Sequence, residues 1–95
     1  MRPAPLRFEG FVLRSGRKYE SICPDLDVAS FGKTPADARK ALLEACRLHV
    51  ESAIECNLPY LRPMPPDDHP LREEPSRIVE RFMITIDIAA RAYAR

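Results

Sequence analysis

The chain has 95 residues, 45% of which are apolar, and its 15 basic and 14 acidic residues leave a formal net charge of +1. This length suits one small domain over residues 1–95, and the near-neutral charge argues against a general attraction to nucleic acid. No apolar run approaches the roughly 20 residues that span a membrane, and residues 1–8 lack the apolar centre of a signal peptide, so we expect neither a membrane protein nor a secreted one.

Three strands are predicted in the first third of the chain. Residues 6–13 are rich in strand-forming side chains, and the glycine-containing segment 15–17 suits a hairpin turn. Residues 18–23 alternate as a second strand, which ends at Pro24 because proline lacks the amide donor that a central strand needs. A turn then leads to a short third strand at residues 28–31.

A long helix follows the third strand. Thr34 is a good N-cap, Pro35 suits the first helical position, and the charge of Asp37 complements the helix dipole. The pattern predicts a helix that runs to about Asn57. Its apolar stripe has helical spacing and consists of Ala38, Leu42, Ala45, Cys46, His49, Val50 and Ala53.

Residues 59–75 form a proline-rich connection that holds six of the ten prolines. Such a segment cannot be a regular helix or a central strand, and we expect it to pack along the surface, with a short helical turn started by Ser76. Residues 81–88 alternate clearly as a closing strand, and residues 89–95 form a tail. The prediction is therefore an α+β fold of order β-β-β-α-β, with one sheet carrying one main helix on one face.

A homo-oligomer, a dimer or higher, is expected because a domain of this size buries a limited core. Leu43, Leu48 and Ile54 widen the apolar face of the helix beyond what one sheet face covers, which indicates a second buried contact. The apolar side of the closing strand is the candidate oligomer contact, with the residues Phe82, Ile84, Ile86 and Ile88.

The search for catalytic chemistry gives three weak candidates on residues with simpler explanations. One is the carboxylate pair of Asp25 and Asp27, which their turn position explains. Cys46 and His49 lie one helical turn apart, so they suit a nucleophile with its base, or a metal site with Cys23 as third ligand. Because Cys46 lies in the apolar stripe, a core role is favoured. The Asp67-Asp68-His69 run suits a metal but lacks further spaced ligands. We therefore predict no catalytic residue, no metal and no cofactor.

Two further features bear on compartment and nucleic acid. The three cysteines are an odd number without a Cys-x-x-Cys pair, which favours free thiols in the cytoplasm.

Arg14, Arg17 and Lys18 cluster at the hairpin turn and are candidate phosphate contacts. A small RNA-binding α+β protein is therefore the alternative function, although no DNA-binding helix-turn-helix or zinc finger is present.

Two motifs resemble the HicB antitoxins of type II toxin–antitoxin systems. The second strand ends in the turn Pro24-Asp25-Leu26, which is similar to the "P-D-L" turn of that family. The segment 32–38 resembles the family's "G-x-T-x-x-E-A" helix start. Gly32 and Thr34 match the motif, and Asp37 stands in place of the usual Glu. The segment 27–29 departs from the family, which usually has a Gly-Cys pair there.

This resemblance spans roughly residues 8–88 and implies a degenerate ribonuclease-H-like fold without catalytic carboxylates. It implies a small HicA-like toxin that cleaves messenger RNA as partner, which the antitoxin neutralises by covering its active surface. Many relatives add a C-terminal DNA-binding part, which is not present in this sequence, so direct DNA binding is not expected. An orphan member of the family, without a toxin, is the other outcome that the resemblance leaves open.

Overall fold

Four antiparallel strands form one sheet in the computed structural model, which describes residues 5–87. The hairpin consists of β1 (Leu6–Ser15) and β2 (Lys18–Cys23), and β2 also pairs with β3 (Val28–Gly32). On the other side of β1 lies β4 (Ile78–Ile86), which gives the order β3-β2-β1-β4. The predicted α+β arrangement is confirmed.

Two turns explain how the first three strands are joined. Gly16 adopts a φ of 64° in the two-residue turn between β1 and β2, a conformation that glycine adopts without strain. Asp27 has a φ of 52° in the turn before β3. Aspartate tolerates this left-handed conformation, so the turn forms although the family's Gly-Cys pair is not present.

The main helix, α1 (Pro35–Glu55), begins as predicted and ends two residues early. The Thr34 hydroxyl accepts a hydrogen bond of 3.1 Å from the backbone amide of Asp37, which caps the first turn. After Cys56, Asn57 has a φ of 57°, and this left-handed residue ends the helix. None of the helices within residues 5–87 is both long and apolar enough to cross a membrane.

The main core lies between α1 and one face of the sheet. Its buried residues are Phe8, Cys23, Leu26, Leu42, Cys46, Val50, Ile84 and Ile86. The three α1 residues and the two β4 residues in this set all come from the predicted stripes, which places the helical and strand periodicities on the same interface.

The proline-rich connection contains three short helical turns. They are two 3-10 turns, Pro66–Asp68 and Pro75–Arg77, and α2 (Pro70–Glu73). Each begins with a proline, since the missing amide hydrogen costs nothing at the first helical position. The predicted start at Ser76 is wrong, because this residue lies inside the turn that Pro75 begins.

Backbone hydrogen bonds attach the start of this connection to the rest of the fold. The amides of Arg62 and Met64 donate to the carbonyl oxygens of Asp25 and Pro24 at 3.1 and 2.9 Å. Leu26 in the same turn is fully buried in the core. The expectation that the connection packs against the protein is confirmed.

The same connection also covers part of the second sheet face. Phe11 on β1 points away from α1 and is fully buried. The ring of His69 packs edge-on against it at 5.3 Å, and Pro70 beside His69 is buried. This cover makes the fold three layers deep at Phe11, where the sequence predicted only a helix on one face.

The closing strand is longer at its start than predicted. It begins at Ile78 rather than Arg81, after a shift in the register with β1 near Leu13. The predicted end at Ile88 and the tail of residues 89–95 lie outside the described residues.

Candidate partner-binding surfaces

A groove runs between α1 and the end of β4, and we call it the helix–strand groove. Its lining residues are Asp37, Lys40, Ala41, Leu43, Glu44, Arg47, Thr85, Ile86 and Asp87. The groove has a volume of about 770 Å³. Leu43 keeps 43% of its surface exposed there, so an apolar side chain is available to a partner.

Charged side chains surround this apolar groove. Arg47 donates to both carboxylate oxygens of Glu44, at 2.7 and 2.8 Å, and also to Glu51. These hydrogen bonds and the charge of Arg47 lower the pKa of Glu44, so this carboxylate stays ionised at neutral pH. An apolar floor with a charged rim is the usual composition of a protein-binding surface.

The three basic residues predicted as nucleic-acid contacts lie together at the exposed end of the hairpin. Arg14, Arg17 and Lys18 are all exposed. The guanidinium of Arg14 lies 5.4 Å from the centre of the Tyr19 ring, a cation–π distance. Arg77 joins this end of the sheet, because its Nε donates to the carbonyl oxygen of Arg14 at 2.8 Å.

The residues predicted as an oligomer contact are mostly used inside the chain. Ile84 and Ile86 are buried in the core under α1, at 1% and 4% exposure, and Phe82 packs against the same cluster. Ile88 lies outside the described residues. What β4 still offers to another subunit is its outer edge and its exposed side chains, such as Met83.

The residues of the two HicB-like motifs lie in a turn and at a helix start, where they shape the backbone. Pro24 and Leu26 are buried, and Asp25 is exposed while its backbone binds the connection. Gly32 lies directly against the first turn of α1, which Thr34 caps.

The residues considered for catalysis or metal binding have structural partners. Cys46 is fully buried, and its pKa is raised by a hydrogen bond to Cys23 and by burial, so the thiol stays protonated. His49 Nε2 lies 2.8 Å from the carbonyl oxygen of Tyr60, to which it donates. His69 Nδ1 accepts from the amide of Leu71. Within residues 5–87, no three His, Cys, Asp or Glu side chains form a metal-ligand group.

Sequence reasoning missed the helix–strand groove and the cover over Phe11. The groove had a signal in Leu43, which widened the apolar stripe of the helix without belonging to it. The cover also had one, because β1 carries Phe11 and Leu13 on the face opposite Phe8. A strand with large apolar side chains on both faces is expected to be buried on both.

Comparison with known proteins gives matches among solved structures. No protein-family model matches the chain, and no curated protein does. The crystal structure of the Burkholderia pseudomallei antitoxin HicB matches with 27% identity and a TM-score of 0.67, over 88% of this chain and 64% of that one. The N-terminal domain of the same antitoxin matches with 26% identity and a TM-score of 0.63, over 86% of this chain and 99% of that domain.

A third match is a chain of the HicA3 and HicB3 toxin–antitoxin complex. It has 25% identity and a TM-score of 0.56, over 86% of this chain and 99% of the matched chain. The resemblance expected from the motifs is therefore confirmed at the level of the fold, which is HicB-like. Two of the structures that share it are of an antitoxin, and the third is of a toxin–antitoxin complex.

Proposed function

Starting from this HicB-like fold, we propose that the chain is a binding module that neutralises a small HicA-like, messenger-RNA-cleaving toxin. The observation that carries the proposal is the match to a chain of a HicA3 and HicB3 complex over 86% of this sequence. We further propose that it acts in the cytoplasm, without catalysis of its own and without direct DNA binding.

The helix–strand groove is the surface that we propose for the toxin. A ribonuclease binds RNA phosphates with cationic side chains, so the toxin surface to be covered is basic. The groove lining contains three acidic residues, Asp37, Glu44 and Asp87, and two basic residues, Lys40 and Arg47, so its net charge is −1 and complements a basic surface. Leu43 provides the exposed apolar anchor that binding sites concentrate near their centre.

Co-expression tests the proposal directly. The chain is expressed together with the small toxin-like reading frame that neighbours its gene, and growth and co-purification are measured. We expect growth to be restored and the two proteins to purify as one complex. Persistent toxicity together with separate purification contradicts the antitoxin role and favours an orphan of the family.

A matched pair of variants tests the groove. Leu43→Glu places a charge on the groove, and we expect it to weaken toxin binding about tenfold or more, as the loss of an anchor of ~1.4 kcal/mol does. Leu48→Glu is the control, because Leu48 is 54% exposed on the same helix but does not line the groove. Equal binding by the two variants places the toxin elsewhere.

Self-association is a separate part of the proposal. β4 is an edge strand of nine residues, and Met83 on it is 61% exposed. Within residues 5–87 no strand pairs with its outer side, and an open edge of this length is a template for pairing with another chain. Sedimentation equilibrium of the purified protein is expected to give twice the monomer mass or more, and a monomer at high concentration contradicts it.

A further inference from the structure

Five basic side chains gather at the end of the sheet where the hairpin turns, and we call this surface the basic end. Its residues are Arg14, Arg17, Lys18, Lys33 and Arg77. The strand register brings them together: Ser15 pairs with Lys18, and Tyr19 pairs with Gly32, the residue before Lys33. Because neighbouring strands lie about 4.8 Å apart, the surface spans roughly 14 Å across four strand ends.

Most of the positive charge at the basic end is not neutralised. Among residues 5–87, Arg77 is the one of the five cations bound to carboxylates, those of Glu20 and Glu74. Arg14 stacks on Tyr19 instead of pairing with an acid. No ion pair among residues 5–87 includes any of the other four basic side chains of this surface. A chain of net charge +1 thus carries a locally basic surface.

A cleft beside the hairpin turn has the composition of a phosphate site. It has a volume of about 480 Å³ and is lined by Arg14, Ser15, Gly16, Ser76, Arg77 and Val79. Arg14 and the two serines provide guanidinium and hydroxyl donors, which are the groups that contact nucleic-acid phosphates. The bond from Arg77 to the Arg14 carbonyl holds the two sides of the cleft together.

An exposed aromatic ring lies next to the basic end. Phe31 is 56% exposed on β3 and pairs with Glu20 on β2, on the sheet face opposite α1. An uncovered aromatic ring beside a basic surface is the arrangement by which proteins bind single-stranded nucleic acid, with bases stacked on the ring and phosphates on the cations.

We infer that the basic end is a second binding surface of this protein, and that its ligand is single-stranded RNA. The backbone of the RNA lies across Arg17, Lys18 and Lys33 and passes around the end of the sheet to Arg14, which shares the α1 face with Tyr19. A base stacks on Phe31 on the opposite face. An acidic protein segment has complementary charge, and its carboxylates accept from the same donors, but it has no base to stack on the Phe31 ring. This inference does not depend on toxin neutralisation, since the groove proposed for the toxin lies along α1.

Fluorescence anisotropy with a labelled 12-nucleotide single-stranded RNA of mixed sequence tests the inference on the full chain. With four cations on phosphates, the logarithm of the affinity is expected to fall with log salt at a slope of about −2.8, or ~50-fold between 50 and 200 mM. A lack of binding at 50 mM salt overturns the inference.

Charge-reversal variants locate the surface. Arg17→Glu with Lys18→Glu is expected to weaken RNA binding at least tenfold and to halve the salt slope, because two of the four phosphate contacts are lost. Arg7→Glu with Arg72→Glu is the control, since both side chains are exposed away from the basic end and the change in net charge is the same. Equal losses in the two double variants overturn the assignment.

The Phe31 ring separates RNA from other polyanions. Phe31→Ser is expected to weaken RNA binding about fivefold or more, as the loss of one stacked base does. The same variant is expected to leave the binding of polyglutamate unchanged. If polyglutamate competes as well as RNA for the wild-type protein and Phe31→Ser has no effect, the surface binds acidic protein and the inference is wrong.

Discussion

Gly32 lies so close to the first turn of α1 that a β-carbon on it would come within 2.6 Å of the Asp37 carbonyl carbon and closer still to the backbone nitrogen of Ala38. Both neighbours are backbone atoms, which cannot turn aside as a side chain does. The glycine therefore sets the distance between β3 and α1, and this is the physical reason for the glycine in the "G-x-T" motif.

Gly32→Ala is expected to destabilise the protein strongly. The helix start must move away from β3, and overpacking of this kind costs about 1–3 kcal/mol or more. Gly16→Ala is the control, because space is open around Gly16 and only its φ of 64° opposes a side chain, for a cost of about 1 kcal/mol. Urea unfolding measures both free energies, and a Gly32 variant no less stable than the Gly16 variant contradicts the packing argument.

The hydrogen bond from His49 to the Tyr60 carbonyl is expected to hold the start of the connection on α1. His49→Phe keeps a ring but leaves a half-buried carbonyl without a donor, which costs about 1–3 kcal/mol. His49→Gln keeps an N–H donor, and we expect a smaller loss. If both variants unfold at the same urea concentration as the wild type, the bond contributes nothing to stability.

The three cysteines are expected to differ sharply in reactivity. Cys56 is exposed, whereas Cys23 and Cys46 are buried. The raised pKa of Cys46 also keeps this thiol protonated, whereas the thiolate is the form that reacts. A thiol reagent such as DTNB should therefore react quickly with one thiol per chain, and with three in urea.

The same experiment decides between the two interpretations of Cys46. Rapid modification of Cys46 itself in the folded protein, located by peptide mass spectrometry, would restore the nucleophile that the sequence suggested. The variant Cys56→Ser is expected to remove the fast reaction completely, which identifies the thiol without further assignment.

Local patterns allowed the sequence to predict the elements with short-range causes. The cap at Thr34 and the alternation of Phe8 and Phe11 on opposite faces depend on neighbours within a few residues, so they are visible in one sequence. The start of β4 at Ile78 was missed, because it depends on a register shift against Leu13, far away in the chain.

The candidate surfaces were less predictable for the same reason. The basic residues Arg14, Arg17 and Lys18 lie within five positions of one another, so the sequence alone predicted this cluster. Arg77 reaches the same surface through a hydrogen bond to the Arg14 carbonyl, across a separation that no local pattern reports. The packing of His69 on Phe11 is another contact between distant segments.

The place of β4 in the sheet has a consequence for folding during synthesis. Leu6 at the start of β1 pairs with Ile86 at the end of β4, so the sheet joins segments from opposite ends of the described chain. Contacts of such high sequence separation slow folding, because the chain loses the entropy of loop closure before these contacts can stabilise it. On the ribosome, the part of the core that Ile84 and Ile86 complete under α1 stays open until these two residues have been synthesised. A nascent chain is thus a substrate for chaperones and proteases until its last strand is released.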